Sequence, residues 1–92
     1  MLEIRYTPEF KKRYGELPGA VQKKAERREN VFRQNPFHPA LRTEKLEPRR
    51  KEYWSFRIDR TYRILFRFRD QNTIYFLTCG HHKWIYRYVD RH

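Results

Sequence analysis

Cysteine is nearly absent from this sequence, as are long apolar runs, and aliphatic residues are few. The single cysteine, Cys79, excludes an internal disulfide and any zinc site built from several thiolates. No apolar stretch approaches the roughly 20 residues that cross a bilayer. The N-terminal Met1-Leu2-Glu3-Ile4-Arg5 has no basic segment followed by an apolar one, so it does not read as a secretion signal, and a cytoplasmic protein is expected. Internal repeats are also missing. A mean hydropathy of −1.13 is the value of a disordered chain. Disorder is nevertheless excluded by what replaces the aliphatics: 7 Phe, 7 Tyr and 2 Trp, whose large rings can build a core where disordered chains have none.

The second abundance is positive charge. With 22 Lys and Arg against 11 Asp and Glu, the 92 residues carry a formal charge of +11, beyond the magnitude of about 2–8 that solubility alone asks for. Charge of that size selects polyanionic partners: nucleic acid, an anionic surface or an acidic protein. With no spanning segment, a membrane is the weaker class, and RNA is the favoured one.

Along the chain, Leu2, Ile4 and Tyr6 alternate with Glu3 and Arg5 as in a half-buried strand. Thr7-Pro8-Glu9 then reads as a helix start, with a capping hydroxyl, proline in the first turn and an acid beside it. That helix is expected to run to about Leu17, burying Phe10 and Tyr14. Pro18-Gly19 breaks it, and a second helix is expected over Gly19–Gln34 with Val21, Ala25, Val31 and Phe32 inward. Arg28 interrupts the apolar stripe and must extend its head to water. The short break predicts an antiparallel helical hairpin. Residues 36–52 read as an irregular connection rich in Pro and Arg, of a length that is often functional.

From Tyr53 the periodicity changes to two. Trp54, Phe56 and Ile58; Tyr62, Ile64, Phe66 and Phe68; and Ile74, Phe76 and Thr78 mark three strands of an antiparallel meander. The expected architecture is α+β, a single domain over residues 1–92: an N-terminal strand, a two-helix antiparallel hairpin, then the three-stranded meander with the helices on one face.

Facing residues of an antiparallel pair share a sheet face, so the apolar pattern sets the register. Ile58 must oppose Tyr62, Phe68 must oppose Ile74, and Arg69 must oppose Thr73. Carried across all three strands, this parity predicts a row of Arg57, Arg63 and Cys79 on the face away from the helices. Two guanidinium groups side by side repel unless an anion joins them, and their planar forks match phosphate. The adjoining Gly80-His81-His82-Lys83 supplies two imidazoles for acid–base work near neutral pH. Strict alternation puts His81 on the arginine face, and a turn at Gly80 would put His82 there instead. Cys79, His81 and His82 are too close along one strand to close a metal site, so no metal is expected.

The phrases Tyr53-Trp54-Ser55-Phe56-Arg57-Ile58, Tyr62-Arg63-Ile64-Leu65-Phe66 and Gly80-His81-His82 followed by Ile85-Tyr86-Arg87 resemble the RelE/ParE superfamily of bacterial toxins from type II toxin–antitoxin pairs. The resemblance covers essentially the whole chain. It implies a ribosome-dependent mRNA endonuclease, needing neither metal nor small-molecule cofactor, that is neutralised by a cognate antitoxin protein. The YoeB-type branch is the most similar around the sheet. Its arginine and histidine fall on Arg63 and His82, and its catalytic glutamate falls on Glu44. That branch ends just after a His-Tyr pair, whereas here the chain continues to His92, so Tyr86 stands for the tyrosine. The RelE lysine pair has no clear counterpart, although Lys45, Lys51 and Arg57 supply equivalent charge.

The resemblance implies a role for each residue. Glu44 is the general base, Arg63 with Arg57 stabilises the transition state, His82 is the general acid with His81 in reserve, and Tyr86 stacks on or orients a base. Lys45, Arg49, Arg50, Lys51 and Lys83 hold the RNA backbone, on mRNA presented by the ribosome. Two other readings share the charge and the fold. One is a ParE-like inhibitor of DNA gyrase that cuts no RNA; the other is an RNA-binding module without chemistry. Acid–base residues grouped around the sheet arginine separate the nuclease from the first, and the second predicts steep salt-dependent binding with no cleavage.

Overall fold

The computed structural model describes residues 2–92. Strand β1 (Glu3–Tyr6) leads into helix α1 (Pro8–Glu16) and helix α2 (Gly19–Gln34). The connection after α2 is not wholly irregular. It contains a two-residue strand, β2 (Glu44–Lys45), between short 3-10 turns at Pro39–Leu41 and Arg49–Lys51. Strands β3 (Trp54–Arg57), β4 (Tyr62–Phe68) and β5 (Thr73–His81) form the meander, and helix α3 (His82–Arg91) closes the chain. The sheet has five strands in the order β1-β5-β4-β3-β2. Among the described residues its one parallel pair joins β1 to β5, with Ile4 opposite Ile74.

Local chemistry explains the helix limits. The Thr7 hydroxyl accepts the Phe10 N–H at 3.0 Å, capping α1 as the sequence predicts, and Pro8 loses no hydrogen bond in the first turn. At the break, the Tyr14 hydroxyl donates to the Gln22 carbonyl at 3.1 Å, while the Gln22 amide donates to the carbonyls of Tyr14 and Leu17. Glu29 accepts from the Tyr6 hydroxyl and pairs with Arg33 at 3.0 Å, tying β1 to α2.

Both helices of the hairpin lie on one sheet face over an aromatic core. Phe32, fully buried, stacks on Phe56 at 4.8 Å and meets Phe66 and Phe76 edge-on at 5.0 and 5.4 Å. The opposite face is not free of helix. α3 covers part of it, a helix the sequence pattern did not announce, with Ile85 and Val89 packed on Leu46, Tyr53 and Leu65. Ile85, Tyr88 and Val89 have helical spacing, so the signal was present. The alternation of β5 running straight into His81 concealed it.

The predicted hairpin registers hold near the turns. Arg57 opposes Arg63, Phe68 opposes Ile74, and the Ile58 N–H donates to the Tyr62 carbonyl. Between them a β-bulge intervenes. Leu65 faces Thr78 but Phe66 faces Phe76, so Leu77 is an extra residue on β5. Its carbonyl accepts the Thr7 hydroxyl at 2.8 Å.

Phe32→Ala should cost about 3–5 kcal/mol, because it empties the middle of the ring cluster. Urea denaturation of the variant beside the wild type measures this.

Candidate active site

The bulge corrects the predicted row. Past Leu77 every β5 side chain is on the face opposite to the one that strict alternation gives. Cys79 therefore opposes Ile64 inside the helix-side core, and Gly80 is the residue facing Arg63. His81 opposes Tyr62 and so leaves the arginine face. Its Nδ1 accepts the Lys83 N–H at 3.1 Å and caps α3. His82 opens that helix, with its N–H donating to the Thr61 carbonyl at 2.8 Å. The register thus favours His82 over His81 as neighbour of the arginines, and it does so through a bulge in β5 rather than a turn at Gly80.

Gly80 matters for its lack of a side chain. A Cβ there would lie 3.1 Å from the Trp84 ring, which rests on the strand at this point. The Arg13 guanidinium lies over the Trp84 ring, 4.1 Å from its centroid. This stack holds the first turn of α3, and with it His82 and Tyr86, against the end of β5.

Arg63 is the centre of the face. Only 7% of it is exposed, and its Nε is buried without a hydrogen-bond partner among the described residues. Its guanidinium lies 3.8 Å from Glu44 Oε1 and 6.0 Å from the Tyr86 ring centroid. A guanidinium this deep, with one loose carboxylate for company, leaves donors that an anion can fill. Glu44 and Tyr86 are exposed, so both are open to a ligand approaching Arg63. Glu44 reaches the site because β2 pairs it with Ser55, beside Arg57 and Arg63. The Ser55 hydroxyl, part of a phrase that carries the resemblance but given no role there, is buried without a partner among the described residues. The His82 imidazole is held below its ordinary pKa by partial loss of water, then by the charges of His81, Arg63, Lys83 and Arg57.

The expected RNA-contact residues divide. Arg49, Arg50 and Lys83 are exposed. Lys45 faces Trp54 and pairs with Glu52 at 3.0 Å. Lys51 points its ammonium at the end of α3, donating to the Val89 carbonyl at 2.7 Å, where it offsets the negative helix terminus. Arg67, which the sequence pattern did not mark, donates to the Lys51 carbonyl and lies 4.5 Å over Tyr53, so it fastens this corner. Among the described residues, no group of three or more His, Cys, Asp or Glu is placed to hold a metal ion. Among them, too, no helix is long and apolar enough to cross a membrane.

Residues 19–84 match the model of the ParE-like toxin domain, which is most of the chain. The protein belongs to this toxin family. It is a toxin of the RelE/ParE superfamily, as the sequence resemblance implied. A YoeB/ParE toxin from Agrobacterium tumefaciens superposes with a TM-score of 0.72 at 19% identity, covering 88% of this chain and 99% of that one. The YoeB–YefM toxin–antitoxin complex from Staphylococcus aureus gives 0.69 at 23% identity, covering 89% and 98%. The RelB–RelE antitoxin–toxin complex from Methanococcus jannaschii gives 0.70 at 25%, covering 90% and 95%. No curated protein sequence matches the chain.

Two measurements check this geometry. In an NMR titration His82 should protonate below the ordinary histidine value of about 6.5, and Arg63→Gln should move it upward by removing one repelling charge. Cys79, whose thiol is pushed up to about 12 by burial, should resist alkylation in the native protein at about pH 8 and react on unfolding, as mass spectrometry would show.

Proposed function

We propose that this toxin is a ribosome-dependent mRNA endonuclease. The observation that carries the reading is the convergence of Glu44 and Tyr86 on a buried, underpaired Arg63, with His82 in its field. Glu44 takes the proton of a ribose 2′-OH. The 2′ oxygen then attacks the adjacent phosphorus, and the bond from phosphorus to the 5′ oxygen breaks. His82 donates a proton to that leaving oxygen, and a 2′,3′-cyclic phosphate remains. Arg63, helped by Arg57, neutralises charge developing on the phosphoryl oxygens. Tyr86 offers an exposed ring for a base to stack on. Acid, base and cation are all side chains, so the reaction has no step that calls for a metal.

Partial loss of water, and then the cations around it, favour the neutral form of His82 in the free protein. A bound RNA phosphate reverses that field and charges the imidazole, so the acid is armed by its substrate. Because the working form of His82 is the protonated one, kcat/KM should fall as pH rises through the depressed free-protein pKa. The corresponding limb of kcat should lie at higher pH, as a pH profile of cleavage would show.

The antitoxin complexes of the neighbouring structures support a cognate antitoxin as partner. A cytoplasmic location fits a target on translating ribosomes.

The match to a ParE-like domain favours one other reading, inhibition of DNA gyrase without RNA cleavage. Induced expression with mapping of 5′ ends on cellular mRNA separates the two. Cuts at codon positions of translated messages, reduced about 10²–10³-fold by Arg63→Ala, are expected. Growth arrest without such cuts would sink the nuclease reading in favour of gyrase.

A further inference from the structure

Next to Arg57 and Arg63, the β3–β4 hairpin, α2 and the 3-10 turn at Pro39–Leu41 border an open, shallow cleft of about 280 Å³. Four arginines line it: Arg28, Arg42, Arg57 and Arg60. Among the described residues, none of the four has a carboxylate within ion-pair distance. The one acid in the lining, Asp59, is already engaged. Its Oδ1 accepts the N–H groups of Thr61 and Tyr62, both at 2.8 Å, and its Oδ2 pairs with Lys24 at 3.4 Å.

Arg28 interrupts the apolar stripe of α2, where an aliphatic residue would pack better, and it is half-buried at the cleft. The Nε of Arg57 is buried without a partner among the described residues. Four guanidinium groups around one hollow repel one another until an anion enters, and their forks suit phosphate oxygens. Apolar lining is confined to Ala40 and Ile58, too little to seat the apolar face of a docked helix. Arg57 belongs to both places, since it opposes Arg63 across the hairpin and lines the cleft.

We propose that this cleft is a second phosphate-binding site, which holds the backbone of the RNA strand whose neighbouring phosphate lies at Arg63. It rests on the nuclease reading only in naming that strand as the substrate. A chain gripped at two points is fixed in direction as well as position. Arg57 is the shared cation between the two grips.

The test uses a short 2′-O-methyl oligoribonucleotide, which lacks the attacking hydroxyl, so that binding is read by fluorescence anisotropy without cleavage. The double variant Arg42→Gln/Arg60→Gln changes two exposed residues outside the catalytic set. Affinity should drop roughly tenfold at low salt, and the slope of log affinity against log salt should shrink by about 0.7 for each phosphate no longer engaged. Arg60→Gln alone should give about half of that shrinkage, with an unchanged melting temperature. Unchanged affinity and slope in the double variant would overturn the cleft, and would leave the nuclease reading to stand or fall on Arg63→Ala cleavage. Weaker oligonucleotide binding by the double variant, together with a wild type that cuts no mRNA, would uphold the cleft and remove the nuclease. Antitoxin affinity that falls while RNA binding stays intact would overturn the proposal in favour of an acidic protein segment.

Discussion

One extra residue in β5 governs the arrangement of the whole functional face. Leu77 has no partner of its own on β4, and because side chains alternate along a strand, that single insertion exchanges the faces of every later residue in the strand. Cys79 goes into the core, Gly80 comes to stand opposite Arg63, and His82 rather than His81 begins the final helix on the arginine side. The carbonyl at the bulge is not left idle. Thr7 donates its hydroxyl there while accepting the Phe10 N–H, so the residue that starts α1 also secures the irregularity.

The two sheet faces are stabilised by different means. On the helix side, rings fill the space: Phe32, Phe56, Phe66 and Phe76 interlock as a buried group, and few aliphatics are needed. On the other side α3 covers only part of the sheet, anchored by Ile85 and Val89 and fastened at its end by Lys51, whose carbonyl Arg67 holds. At the edge of that cover stand Arg57 and Arg63, whose buried Nε atoms have no hydrogen-bond partner among the described residues. Stability and function thus divide the same sheet, since extending the helix cover over the arginine side would remove the approach of a phosphate to the outer guanidinium nitrogens.

Net charge and local paired charge carry different information here. The surplus of +11 attracts any polyanion. Which cations remain available depends on their neighbours. Arg13, Arg33, Lys45 and Lys51 are engaged with carboxylates, carbonyls or rings, whereas Arg28, Arg42, Arg57 and Arg60 meet around a hollow with no free acid. Lys45 and Lys51 looked, in sequence, as free as Arg49 and Arg50. Only the register of β2 and the position of the α3 terminus distinguish them.

By itself the sequence determined those features that short-range rules dictate. Thr7-Pro8 and Pro18-Gly19 marked the helix limits, periodicity marked the three meander strands, and the apolar pattern paired Arg57 with Arg63. These are consequences of local sterics and of a two-residue repeat, which need no knowledge of distant chain. The tertiary structure decided the rest. A bulge leaves no mark in the alternation of letters yet reverses faces. The parallel pairing of β1 with β5 joins residues about seventy positions apart in the sequence. β2 is too short to announce itself, although it brings Glu44 to Arg63. α3 is legible only once its apolar side has Leu46, Tyr53 and Leu65 to rest on. Arg63 could be named from the sequence because parity placed it. Its power to bind an anion comes from burial without a full set of partners, which only the assembled fold creates.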